Sequence, residues 1–449
     1  MGERGASKAR NQEDRRLTRR EFIGHAGATA VAVGGLAGMR GPARAVPRND
    51  TIILGVIGCG GRGQSLINGF MRLPGCEVGA VCDVDELRCG EAQAIAGESA
   101  RGYADFRELL EQDDLDAVVV ATPDHWHAIM AVLACQTGLD VYVEKPLTHN
   151  IREGRAMVEA ARRHDRVVCV GTQQRSGAHY AQAAEYVQSG ALGAISRCEV
   201  WNVWNQSGEG PRAERGRGIG NPPDDEPPPG VDYDLWLGPA PKRPFNPNRF
   251  HWGYVYFWDY AGGMMTNWGV HHLDVVHWLT GIDTPLSAIS CGGKHVMVDA
   301  RDTPDTLDTL FEYPGFTVQA RVYHANAQPI RGRSYGIAIY GTDGTLTIDR
   351  SGFEVRPEGS RIEPVHVDGS VLDGPHQRDF LDCLRTRRKP FADVETGHRS
   401  TIPCHLANIS YRVGRKVIWN AEAETIGGDR EADHLLGREY RAPWKLPSV

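Results

Sequence analysis

Six residues, Gly58-Cys59-Gly60-Gly61-Arg62-Gly63, follow directly on an apolar run over residues 51–57 and open a segment of helical character over 64–72. A buried strand that turns through three spaced glycines straight into a helix is the first unit of a parallel α/β sheet. Gly58 makes the tight turn, Gly60 and Gly61 let backbone approach a pyrophosphate, and Gly63 lets the helix pack on the strand. The helix start supplies free N–H groups and the positive end of a dipole for phosphates, with Arg62 beside them. Asp83 stands twenty residues beyond Gly63. A carboxylate there accepts hydrogen bonds from ribose hydroxyls and repels a 2′-phosphate, which favours NAD, with NADP as the alternative because Arg62 and Arg88 lie close in sequence.

The rest of the first half continues the alternation. Strands are expected over 77–82, 117–121, 141–143 and 167–171, with helices over 85–96, 126–137 and 151–164 and another closing at 109–111. Such alternation implies a parallel sheet covered by helices on both faces. The character changes near residue 195. After a strand over 195–204, residues 205–230 are rich in Gly, Pro and charge and read as a long loop. A helix over 268–279 precedes six strands between 287 and 356, separated by tight turns such as Tyr313-Pro314-Gly315-Phe316, which indicates an antiparallel sheet. Helices close the pattern at 375–387 and 397–419. The fold class is therefore α/β, with an N-terminal Rossmann dinucleotide-binding domain over 50–172. An α+β substrate and oligomerisation domain follows over 173–420, then a tail over 421–449. The chain has 449 residues, 41% hydrophobic and 24% charged, which suits two globular domains.

The first 45 residues carry a different signal. Thr18-Arg19-Arg20-Glu21-Phe22-Ile23 precedes a small-residue apolar stretch over 26–39 and then Pro42-Ala43-Arg44-Ala45, whose small residues suit a signal peptidase. This is the pattern of a cleaved twin-arginine signal, which implies the Tat export machinery as a partner and a periplasmic or otherwise exported product. The apolar stretch is too short and too Gly-rich for a comfortable membrane span, and no stable membrane anchor is expected. These residues carry +5 against −7 for the whole chain, leaving −12 for the remainder. That balance disfavours a nucleic-acid partner. Ten scattered cysteines form no C-x-x-C pair and read as buried free thiols, in keeping with folding in a reducing compartment before export.

Two further segments narrow the class. One is Val141-Tyr142-Val143-Glu144-Lys145-Pro146. The other is Gly262-Gly263 followed by Asn267-Trp268-Gly269-Val270-His271-His272-Leu273-Asp274. With the glycine turn, they resemble the glucose–fructose oxidoreductase / inositol dehydrogenase / MocA (Gfo/Idh/MocA) family over roughly residues 50–420. The segments 232–239 and 397–400 resemble an exported branch of it. The resemblance implies a C-terminal domain with an open, mostly antiparallel sheet, a homo-oligomer, and a sugar or cyclitol substrate. It also implies a role for Lys145 beside the nicotinamide, following Glu144, and for His271 as general base. An ammonium at Lys145 stabilises an alkoxide-like oxygen and relays its proton. Asn267 stands where the family often has Asp. At helical spacing from His271 it shares a face with the imidazole without lending it charge, and Asp274, three residues on, is the alternative partner.

Thr122-Pro123-Asp124-His125-Trp126-His127 follows the strand over 117–121, where ligands of such sheets bind. Thr122, Pro123, His125 and His127 are thus expected along the cofactor, and Gln173, after the next-but-one strand, near the nicotinamide or substrate. Arg249, His251 and His324 are further candidate substrate contacts. The aromatic clusters at Trp201, Trp204 and 250–260 suit either sugar faces or a domain interface. No bound metal is expected, although His271, His272 and Asp274 are residue types that ligate one. The reading is an exported NAD(P)-dependent oxidoreductase acting on a secondary hydroxyl of a carbohydrate or cyclitol. The alternative is a redox-neutral glycosidase or lyase that oxidises its sugar transiently.

Overall fold

The computed structural model describes residues 51–206 and 218–449. The export signal expected at 1–45, and residues 207–217 of the expected long loop, lie outside the described residues.

The first sheet has six parallel strands: β1 (Ile52–Ile57), β2 (Cys76–Cys82), β3 (Arg101–Tyr103), β4 (Ala117–Val120), β5 (Asp140–Val143) and β6 (Val168–Val170), in the order β3-β2-β1-β4-β5-β6. β4 and β5 are apolar and buried throughout, as a sheet covered on both faces requires. The strand order reverses between β1 and β4, so the turns after these two strands diverge and leave a crevice at their carboxyl ends. Helices α1 (Gly61–Met71), α2 (Glu86–Ala96), α3 (Phe106–Leu110), α4 (Asp124–Gln136) and α5 (Ile151–Arg163) connect the strands. Asp85, Asp105 and Asn150 cap three of them, each side chain accepting a main-chain N–H of the first turn.

Helix α6 (Ala178–Gln188) has no counterpart among the expected elements, although Tyr180, Ala183, Ala184 and Val187 are buried at helical spacing. It leads into the second sheet, whose strands are β7 (Ile195–Val203), β8 (Ser287–Gly293), β9 (Thr306–Tyr313), β10 (Phe316–Tyr323), β11 (Tyr335–Gly341), β12 (Gly344–Asp349), β13 (Gly352–Pro357), β14 (Val365–Asp368), β15 (Val417–Asn420) and β16 (Thr425–Ile426). Their order is β14-β13-β12-β11-β7-β10-β9-β8-β15-β16. β7 pairs parallel with β10 and antiparallel with β11, and the other described pairs of this sheet are antiparallel. The short helix α7 (Tyr233–Leu237) lies between β7 and β8 in sequence. Alternate residues of β9 and β10 are buried, so one face carries the core under helices α8 (Val270–Thr280) and α10 (Val394–Val413).

Two departures from expectation have local causes. The expected helix over 397–419 stops at Val413 because Gly414 takes a left-handed conformation (φ 68°), and residues 417–420 then add to the sheet as β15. The expected helix over 268–279 is preceded by a π turn, Met265–Gly269.

The chain also returns to its first domain. Phe380, Leu381, Cys383 and Leu384 of helix α9 (Asp373–Thr386) join the core of the parallel sheet, where Phe380 meets Phe70 and Tyr142 edge-on. Trp444 packs edge-on to Trp126, 4.7 Å between ring centres. The ten cysteines are free, and all but Cys89 and Cys291 are buried.

Candidate active site

The crevice at the strand reversal is a cleft of 420 Å³ that exposes the glycine turn, Asp83, Arg88, Thr122, Pro123 and Trp252. Gly58 has φ 91°, and a Cβ there would lie 2.7 Å from the Ala121 carbonyl. A Cβ on Gly63 would lie 1.9 Å from the Gly58 oxygen, so α1 sits flush on the turn only because both are glycine. Gly61 meets nothing within 4 Å. Gly60 caps α1 without a side chain, which leaves the first-turn N–H groups to a ligand.

Asp83 is set by the main chain. One carboxylate oxygen accepts the Cys59 N–H at 2.7 Å and the other the Asp85 N–H at 3.0 Å. Each oxygen keeps a lone pair for a ribose hydroxyl. Thr122 has a buried hydroxyl with no partner in the cleft wall, an orphan that a bound ligand would satisfy. Open glycines, a free helix start, an oriented carboxylate and an orphan hydroxyl together fit a dinucleotide.

Glu144 is buried and accepts Arg62 Nε at 2.8 Å, and Arg62 also reaches Asp373 at 3.0 Å. The strand end, the glycine turn and α9 are thereby tied together. Lys145, next in sequence and followed by a cis peptide to Pro146, turns its Nζ to the main-chain oxygen of Asn267 at 3.0 Å. Burial lowers the Lys145 pKa, against the pull of the Glu144 and Asp124 carboxylates. His271 is buried, its Nδ1 without a partner. Burial holds its pKa well below the usual imidazole range, and the Lys145 and Arg350 charges push the same way. It is therefore neutral near pH 7.

Several expected roles change. Asn267 lies in the π turn, so α-helical spacing to His271 does not apply; it serves Lys145 through its carbonyl. Asp274 points away from catalysis: its carboxylate accepts Arg175 Nε at 2.8 and 2.9 Å and the Ser400 hydroxyl at 2.6 Å. His125 and His127 do not line the cleft. His125 Nε2 donates to the Trp236 oxygen at 3.0 Å, and burial pushes the imidazole pKa down to about 3. His127 bridges the oxygens of Thr122 and Pro146, both at 2.9 Å, and so pins the cofactor turn to the Lys145–Pro146 turn. Gln173 is buried near the carboxyl end of β6, its Oε1 unpartnered. Arg249 pairs with Asp224 and His324 meets Arg301, while His251 sits by Asp85 at the ribose end of the cleft. Trp201 is wholly buried, whereas Trp204 packs on Trp268. Among the described residues no group of three His, Cys, Asp or Glu side chains is arranged to hold a metal.

Asp124 was not singled out by the sequence. It opens α4, is fully buried, hydrogen-bonds Tyr254 and faces the Lys145 charge; burial pushes its carboxyl up to about 7. A carboxylate directly after the Thr122-Pro123 turn was the available signal.

A Rossmann nucleotide domain joined to an α/β domain that supplies half of a Lys–His pair defines an oxidoreductase class. The chain matches the Gfo/Idh/MocA oxidoreductase family, NAD-binding Rossmann fold, over residues 52–172, and that family's C-terminal alpha/beta domain over 216–306 and 369–446. The chain belongs to the Gfo/Idh/MocA oxidoreductase family, and its first domain is an NAD-binding domain. Among curated relatives, it is 36% identical over 124 residues to the glycosyl hydrolase family 109 protein 2 of Shewanella sp. (strain ANA-3), covering 26% of this chain and 27% of that one. It is 40% identical over 129 residues to a glycosyl hydrolase family 109 protein of Solibacter usitatus (strain Ellin6076), covering 26% and 30%. The matches thus span under a third of those relatives. Among solved structures, the WlbA dehydrogenase from Bordetella pertussis in complex with NADH and UDP-GlcNAcA superposes with a TM-score of 0.62 at 20% identity, covering 82% of this chain and 99% of that one. A levoglucosan dehydrogenase in complex with NADH and levoglucosan gives 0.63 at 17%, covering 82% and 99%. These two likenesses show the fold.

Proposed function

We propose that the protein is an exported oxidoreductase acting on a secondary hydroxyl of a sugar, sugar derivative or cyclitol, with NAD held tightly. The observation that carries this is the meeting of Lys145, from the nucleotide domain, with the Asn267–His271 segment of the second domain beside a dinucleotide cleft. When bound, NAD supplies a hydride acceptor. Lys145 and His271 then handle the hydroxyl proton. Lys145, whose pKa burial lowers, hydrogen-bonds the reacting oxygen and, as the free amine, takes its proton. Neutral His271 offers a second acceptor in the same wall. The Glu144 carboxylate lies near Lys145, so the ammonium formed is not isolated. The partly buried cluster of Trp204, Trp268 and Tyr335 suits the C–H faces of a pyranose or cyclitol.

Export is supported by the twin-arginine pattern at 18–23, and it explains a retained cofactor, because a protein folded before export carries its ligand with it. The experiment is mass spectrometry of the denatured mature protein. Stoichiometric NAD is expected; a protein isolated from the exported fraction without dinucleotide overturns the tight-binding reading.

The relatives named glycosyl hydrolase family 109 favour a second reading, in which the same proton handling serves transient oxidation and elimination. Turnover of a glycoside with no net change in redox state, and no need of an external acceptor, selects it.

A further inference from the structure

The described arginines that are most deeply buried around the second sheet are matched with carboxylates. Arg175 has Asp274, Arg301 has Asp299 and Arg333 has Asp349. Arg350 is different. It sits in the turn between β12 and β13, its Nε is buried, and it has no hydrogen-bond partner among the described residues. The carboxylate next to it in sequence forms no ion pair with it; Asp349 Oδ1 binds Arg333 and accepts the Ser351 N–H at 2.7 Å. The Arg350 guanidinium instead lies over the Trp268 ring, 5.0 Å from its centre. Trp268 is the residue after Asn267, and its ring is 5.9 Å from that of His271. The charge of Arg350 is also felt at Lys145, His271 and His272, each of whose pKa values it lowers.

Lys145 and Arg350 therefore meet successive residues of one segment, Asn267 and Trp268, and His271 and His272 nearby are neutral. A buried guanidinium Nε left unpaired costs free energy unless something accepts from it. A planar fork fixed over a ring is arranged for bidentate contact with an oxyanion.

Resting on the oxidoreductase reading of this site, the geometry points to Arg350 as the specificity residue for a negatively charged carbohydrate, whose carboxylate, or sulfate or phosphate ester, it grips while the reacting hydroxyl lies at Lys145. A carboxylate matches the fork oxygen for oxygen, so a sugar acid is the occupant the shape favours.

The test measures binding to the purified protein with its dinucleotide in place, by calorimetry and by Trp fluorescence. The probes are D-glucose, D-glucuronate, D-glucose 6-sulfate and D-glucose 6-phosphate, with the galactose counterparts. In the parent, an anionic sugar is expected to bind about 10- to 100-fold tighter than its neutral counterpart. Arg350→Gln removes that advantage, leaves neutral-sugar binding and the retained dinucleotide as in the parent, and Arg350→Lys restores part of it. The best-bound probe tells a carboxylate from an ester. Neutral and anionic sugars bound alike, or an anion preference that survives Arg350→Gln, overturn the inference and leave the oxidoreductase reading standing. Arg350-dependent anion binding by a protein that retains no dinucleotide and performs no redox step keeps the inference and overturns that reading. Binding of no probe at all overturns both.

Discussion

Lys145 Nζ and the main-chain oxygen of Asn267 meet at 3.0 Å, across a sequence separation of 122 residues. A lysine from the nucleotide domain is thus aimed by the backbone of the second. The carbonyl that aims it belongs to a π turn, where the ladder of α-helical hydrogen bonds is interrupted. Lys145→Met is expected to lower kcat by about 10²–10⁴ while the protein keeps its dinucleotide. Turnover assays paired with mass spectrometry of the released cofactor check this. Unimpaired turnover removes Lys145 from the chemistry.

Asp124 has a signature in the dependence of stability on pH. Its carboxyl is raised by burial from 3.8 to about 7. Between those values the folded protein holds a proton that the unfolded chain has released. Through this linkage, its contribution to stability falls as pH rises through that window and is lost in full above it. Asp124→Asn should flatten the plot of Tm against pH between about 4 and 7. A slope identical to the parent's contradicts the assignment.

Gly58 tests the cofactor turn. Gly58→Ala would place a methyl group 2.7 Å from the Ala121 carbonyl in a conformation that Cβ-bearing residues avoid. A cost of about 1–3 kcal/mol is expected, together with loss of retained dinucleotide. Thermal denaturation with and without added NAD reads both. A variant as stable and as fully loaded as the parent refutes the geometry.

Asp274 separates structure from catalysis. Its side chain is wholly buried against Arg175, whose own side chain is 12% exposed. Removing it strands that guanidinium. Asp274→Ala is expected to cost about 3–5 kcal/mol in chemical denaturation. The pH profile of whatever activity remains should keep the parent's shape, and a displaced profile would return Asp274 to the proton path.

Why some of this was legible in the sequence and some was not follows from range. The glycine turn, Asp83 and the Glu144-Lys145-Pro146 strand end are local patterns whose geometry is set within a few residues; the first two line one crevice, and Glu144 is tied to its wall through Arg62. The π turn at Met265–Gly269 leaves no trace in periodicity, so the use of the Asn267 carbonyl to hold Lys145 is not legible from spacing. Asp274 sits at a helical offset that suits His271, but Arg175 and Ser400 come from other elements and claim its carboxylate. His125 and His127 lie in the right segment, yet one rotates to Trp236 and the other to two main-chain oxygens. Asp124 becomes titratable near neutrality only because its burial in the folded chain outweighs the Lys145 charge and the Tyr254 hydrogen bond, neither of which local sequence shows. Helix α6 was within reach: its buried residues repeat at the right interval, but alanines make the stripe faint.

The return of α9 and residues 440–449 to the first core bears on how the molecule is made. Phe380, Leu384 and Trp444 complete the packing around Phe70, Tyr142 and Trp126. The nucleotide half is therefore not a unit that a ribosome can release finished. Its walls stay open until residues beyond 440 have emerged, and domains that fold as they are synthesised cannot do so here in simple N-to-C order. Dinucleotide capture is then a late event, coupled to closure of the whole chain, and NAD present during refolding should speed recovery of the second domain as well as the first.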